Sequence, residues 1–133
     1  MSKKGKMAIK RIGILTGGGD CPGLNAAIRA VTKAALFNHQ LEVFGIQDGY
    51  VGLVEGLIDP LIENDVSGIL TRGGTILGTS NTANPFRYGT KDSKGIKAYE
   101  DKSNQVLENI EKYKLDGLVI IGGDGTQSSA LKL

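Results

Sequence analysis

Cysteine and histidine are almost absent from this chain, each occurring once, as Cys21 and His39. One cysteine cannot form an internal disulfide, which fits a reducing cytosol. One histidine cannot build a His-based metal site. At the expected end of a helix, His39 reads as a dipole partner or a solvated side chain. No apolar run approaches the roughly 20 residues needed to cross a bilayer, and no secretory apolar segment is present. These absences predict a soluble, cytoplasmic protein with no membrane partner. Acidic residues are missing before Asp20, whereas Lys3, Lys4, Lys6, Lys10 and Arg11 all precede it. The net charge of +2 therefore comes from the tail; without those five residues, 11 basic side chains face 14 acidic ones. A basic tail on a mildly acidic body does not call for nucleic acid, and residues 1–9 read as flexible and solvated.

Apolar residues make up a modest 40% because 20 positions are glycine. The glycines gather in turns and show no repeat, so disorder is not implied. A chain of 133 residues can bury the core of one domain but is short for a two-domain enzyme. Most informative is Thr16-Gly17-Gly18-Gly19-Asp20-Cys21-Pro22-Gly23, preceded by the apolar run Ile12 to Leu15 and followed by an Ala-rich helical pattern. A buried strand entering a glycine loop that opens a helix suits phosphate, because N–H groups can turn toward an anion with no Cβ in the way. An ordinary strand-to-helix turn would not need three successive glycines. The design repeats at the far end, where Leu118 to Ile121 leads into Gly122-Gly123-Asp124-Gly125-Thr126. Ligands in open α/β sheets collect beyond the carboxyl ends of strands, so the two loops could face one polyphosphate. A third glycine-rich segment, Arg72 to Asn81, ends in Thr79, Ser80 and Asn81, with Arg87 beyond Pro85.

In chain order, the pattern predicts a strand over residues 11–15 and a helix over 24–37 with Leu24, Ile28, Val31 and Ala35 on one face. A second strand follows at 41–46, then a glycine loop carrying Tyr50. Residues 57–62 read as a short strand or irregular segment, and a short helix is expected near 64–70 with Asn64 as N-cap. An amphipathic helix is expected between Lys91-Asp92 and about Lys114, on Ile96, Tyr99, Val106, Ile110 and Tyr113, broken near Ser103-Asn104. A strand at 115–121 and a helix from about Thr126 close the chain. The order predicts an open, mostly parallel sheet with helices on both faces, a Rossmann-like three-layer α/β/α arrangement occupying residues 10–133.

Gly-Gly-Asp-Gly-Thr alone also resembles the nucleotide loops of NAD kinases and of lipid kinases of the diacylglycerol type. Taken with the first glycine loop, Gly49-Tyr50, Arg72-Gly73-Gly74-Thr75 and Leu77-Gly78-Thr79-Ser80 in the same order, it makes the chain resemble the N-terminal, donor-binding portion of a 6-phosphofructokinase from about residue 10 to the end. That resemblance implies ATP and Mg²⁺ as donor and cofactor, fructose 6-phosphate as acceptor, and a homo-oligomer, dimer or tetramer, as the full-length enzyme. It places Gly19, Tyr50, Arg87, Gly123, Asp124, Gly125 and Thr126 around the nucleotide, with Tyr50 beside the purine and Asp124 on the metal, and the backbone amide of Gly18 beside Gly19 can hold a donor phosphate as well. Asn81 stands where many bacterial members carry an arginine at the transferred phosphoryl; it donates a hydrogen bond without charge. Members using pyrophosphate resemble Gly-Gly-Asp-Asp at the second loop, so Gly125 favours ATP. Arg29, Lys33 and Glu63 fall at effector-site positions, where the Glu63 carboxylate repels a phosphate. The general base and most sugar contacts of the family correspond to a segment after Leu133.

Overall fold

The computed structural model describes residues 8–18, 23–69, 73–80 and 83–133. The basic tail up to Met7, Gly19 to Pro22, Leu70 to Arg72, and Asn81 with Thr82 lie outside the described residues.

Strand β1 (Arg11–Thr16) is buried on both faces, as expected for an apolar run at the centre of a parallel sheet. It pairs in parallel with β2 (Glu42–Ile46) on one side and with β6 (Gly117–Ile121) on the other. A short β3 (Ile58–Leu61) runs antiparallel to β2 and closes that edge, making the order β3-β2-β1-β6. Pro60 falls on this edge strand, where the missing N–H costs no ladder bond. The sheet is thus mostly parallel, as the sequence implied.

Alternation along the strands feeds two cores. Ile12, Ile14 and Val43 face Ile28 and Ala35 of the first helical segment, and Val66 of α3 (Glu63–Val66). Leu15, Phe44 and Ile46 face Tyr50, Leu53 and Val54 of α2 (Tyr50–Glu55), and Val106 of α4 (Ser103–Lys112). Helices therefore cover both faces. Each fully buried side chain of this size, Ile28 for example, contributes about 1.5–3 kcal/mol relative to exposure.

Three local expectations are corrected. Helix α1 (Leu24–Lys33) does not remain α-helical to Phe37; Ala34–Asn38 widen into a π-helical turn that ends at the exposed His39. Asn64 is not the N-cap of α3. Ile62 holds that position, and the Asp65 carboxylate reaches back to accept its N–H at 2.8 Å. The long amphipathic helix is replaced by an antiparallel hairpin, β4 (Tyr88–Asp92) and β5 (Gly95–Glu100), followed by the shorter α4. Ile96 and Tyr99 thus belong to a strand. Ser93 and Lys94 make the turn, and Gly95 directly after it adopts φ +112°, a conformation other residues avoid. Where helical spacing did hold, Val106 is fully buried and Ile110 half-buried.

Candidate functional site

The connection from β1 to β2 leaves on one side of β1, while β6 returns on the other. The crevice between β1 and β6 is therefore a topological switch point, where turns after adjacent parallel strands open toward the same side. After β1 come Gly17 and Gly18; after β6 come Gly122 and Gly123, then α5 (Asp124–Lys132). Gly17 N–H donates to the Ile121 carbonyl at 2.8 Å, which joins the two turns at their roots. Gly18 adopts φ +80°, and a Cβ placed there would sit 4.0 Å from the Gly123 nitrogen. The turns therefore face each other closely.

Between them lies a cleft of about 260 Å³, walled by both glycine turns, Tyr50, Ser80, Ala83 and the first turn of α5. Among the described residues, Asp124 is the only formally charged one in its lining. An anion here would be held by backbone N–H groups and the positive end of α5, with a cation to balance Asp124. Gly123 occupies the N-cap of α5 and no side chain caps it, so Asp124 does not act as a cap. Its exposed carboxylate makes no hydrogen bond or ion pair among the described residues. A lone carboxylate beside an anion site suits Mg²⁺, which takes one or two protein carboxylates and fills its shell with phosphate oxygens and water. Cβ atoms built on Gly123 or Gly125 meet nothing within 4 Å, so this wall is open.

Of the expected site residues, Gly18, Tyr50, Gly123, Asp124, Gly125 and Thr126 are brought together in the cleft. Gly19 and Asn81 lie outside the described residues. Arg87 is not in the cleft wall; at the end of a 3-10 turn over Pro85–Arg87, its guanidinium stacks on the Tyr99 ring, 3.7 Å from the centroid. Tyr50 is 3% exposed and donates its hydroxyl to the Thr126 carbonyl at 2.6 Å, and its burial pushes the phenol pKa up to about 12. Thr126 is buried, its side chain turned in beneath Gly17 and Gly122.

The third glycine-rich segment is tied down by two residues whose roles the sequence did not show. Thr16 Oγ1 lies 2.9 Å from Thr75 Oγ1 and 2.9 Å from the Gly78 carbonyl. Asn25, 2% exposed, donates to the Gly73 carbonyl at 3.1 Å and accepts from Ile76 N–H at 2.7 Å. These bonds bring Ser80 to the cleft. The available signal was a polar residue at the end of an otherwise apolar strand and an amide in the first turn of an apolar helix face. At the expected effector positions, Lys33 Nζ lies 3.9 Å from Glu63 Oε1, an exposed pair linking α1 to α3.

Fold and cleft together define a doubly wound α/β protein with a glycine-walled cleft at its switch point. The phosphofructokinase family model matches residues 11–133. An ATP-dependent 6-phosphofructokinase 2 of Clostridium perfringens is 52% identical over 122 residues, covering 92% of this chain and 33% of its own length. An ATP-dependent 6-phosphofructokinase of Spirochaeta thermophila is 52% identical over 128 residues, covering 95% of this chain and 34% of its own. Among solved structures, Pichia pastoris phosphofructokinase in the T-state superposes with a TM-score of 0.78 at 38% identity, covering 95% of this chain and 12% of that one. The chain belongs to the phosphofructokinase family. It spans about one third of the length of these curated relatives.

Proposed function

We propose that this chain forms the donor-binding part of an ATP-dependent 6-phosphofructokinase, which transfers the γ-phosphoryl group of ATP to the 1-hydroxyl of fructose 6-phosphate. The observation that carries this reading is the convergence of two glycine turns, from adjacent parallel strands, on a cleft whose only formal charge among the described residues is Asp124. Phosphoryl transfer asks the protein for position and charge neutralisation more than for covalent chemistry. Backbone N–H groups of Gly18, Gly123 and Gly125 would hold phosphate oxygens. Asp124 would hold Mg²⁺, which supplies charge neutralisation across the donor phosphates. Arg87, stacked on Tyr99 and not in the cleft wall, would have to leave that ring to reach the donor. Asn81 would contribute a neutral hydrogen bond at the transferred group. The full-length enzyme would be a cytoplasmic homo-oligomer.

The donor assignment rests on the open space at Gly125. A carboxylate there would face the α-phosphate of ATP. Two like charges about 4 Å apart repel by roughly 1 kcal/mol in water and about 4 kcal/mol at an effective dielectric near 20. Calorimetric titration of ATP and pyrophosphate, with and without Mg²⁺, tests the reading. ATP is expected to bind more tightly with Mg²⁺, and Asp124→Ala to abolish that dependence. Gly125→Asp should weaken ATP about tenfold while sparing pyrophosphate. Preferential binding of pyrophosphate by the unaltered chain would replace ATP by pyrophosphate as donor. No binding of either anion would remove the reading.

A further inference from the structure

Tyr50 was expected to offer a flat surface to a base, yet its hydroxyl is spent elsewhere. Its 2.6 Å bond to the Thr126 carbonyl ties the first turn of α2 to the first turn of α5. Thr126 is itself wedged under both glycine turns. A Cβ on Gly17 would lie 2.7 Å from Thr126 Cγ2, and one on Gly122 would lie 2.8 Å from the same atom. One residue therefore touches the backbone of the β1 turn and of the β6 turn, and Tyr50 holds that residue in place. We infer that Tyr50 and Thr126 form a buried latch that sets the spacing of the two glycine turns, so that Tyr50 governs phosphate affinity as a positioning residue through its hydroxyl. The inference rests on the reading of the cleft as a polyphosphate site.

Geometry supports it in three ways. The bond is short and buried, conditions under which a hydrogen bond is strongest. The Thr126 carbonyl belongs to the first turn of the helix whose N–H groups face the cleft, so a shift of this carbonyl moves those donors. Burial also keeps the phenol protonated far above neutrality, and the donor persists at working pH.

The test compares Tyr50→Phe with Tyr88→Phe. Tyr88 donates to Glu55 at 3.0 Å, at the opposite end of α2, so its variant loses a hydroxyl bond to the same helix without touching the latch. Amide exchange is read at Gln127 to Ala130, and affinity with sodium tripolyphosphate and with adenosine. Tyr50→Phe is expected to speed exchange in that turn and weaken tripolyphosphate about fivefold to tenfold, the ratio that loss of one buried neutral hydrogen bond gives. Adenosine, which carries no phosphate, should bind as before. Tyr88→Phe should alter none of these. The latch is overturned if Tyr50→Phe leaves both exchange and tripolyphosphate affinity unchanged, or if Tyr88→Phe matches its effects. Should the unaltered chain bind no tripolyphosphate, the phosphate-site reading fails by itself. Exchange then still decides the latch: faster exchange confined to Tyr50→Phe supports it, and unchanged exchange removes it.

Discussion

At the scale of single residues, the site depends on glycines for two different reasons. Gly18 needs its positive φ, whereas Gly17 needs the absence of a Cβ because Thr126 occupies that space. Gly17→Ala should therefore destabilise by about 1–3 kcal/mol through overpacking. Thr126→Ala removes the obstructing atoms, so the double variant should recover part of that loss, with a coupling of about 0.5–3 kcal/mol. Urea unfolding of the four proteins measures this, and strict additivity would show that the two residues do not collide. Two tyrosines carry a pH signature. Burial pushes Tyr50 up to about 12, and burial with the hydrogen bond to Glu55 pushes Tyr88 up to about 12 as well. The folded state thus holds these protons more tightly than the unfolded state, whose tyrosines titrate near 10. The resulting stability is fully present below pH about 10 and is lost as pH rises toward about 12. Stability measured across that window should fall less steeply in the Tyr50→Phe, Tyr88→Phe double variant; an equal slope would contradict the shifts.

At the scale of elements, helices here are positioned by polar residues as much as by apolar ones. Asn109 of α4 is buried and donates from Nδ2 to the carbonyls of Leu53 and Val54, both at 2.9 Å, which satisfies the end of α2. Thr32 of α1 is the opposite case. Its hydroxyl is buried with no hydrogen-bond partner among the described residues, just before the helix widens into its π turn. An unsatisfied buried hydroxyl costs about 1–3 kcal/mol. Thr32→Val, similar in shape, is expected to raise unfolding stability by about 1 kcal/mol, read as a higher urea midpoint at constant slope. A lower midpoint would mean that the hydroxyl has a partner in solution. The β4–β5 hairpin shows why the stretch after Lys91-Asp92 misled. Ile96 and Tyr99 lie at helical spacing, but a three-residue interval is too short to separate helix from strand, and the Ser93-Lys94 turn with Gly95 at positive φ after it makes a hairpin instead.

At the scale of the whole molecule, the proposed donor cleft offers, among its described residues, no group suited to act as a general base. Its described lining offers one carboxylate, Asp124, which the proposal gives to a metal, and a Tyr50 phenol whose raised pKa keeps it protonated near neutrality. General-base assistance is worth about 10²–10⁴-fold. The 133-residue chain by itself should therefore show no measurable phosphorylation of fructose 6-phosphate in a coupled assay while still binding ATP; robust turnover would place the base within this chain. The sequence by itself determined the class of fold, the central strand, the two glycine turns and the buried face of α1. Each of these is local: apolar periodicity and glycine placement report on the residues that carry them. Tertiary structure alone decided that β3 runs antiparallel, that Tyr50 meets Thr126 across 76 positions of sequence, that Thr16 and Asn25 tie down the third glycine segment, and that Arg87 rests on Tyr99. These pairings join distant stretches through single hydrogen bonds or ring contacts. Such contacts leave no period in the sequence, because a lone polar residue can be satisfied by many partners and only the fold selects one.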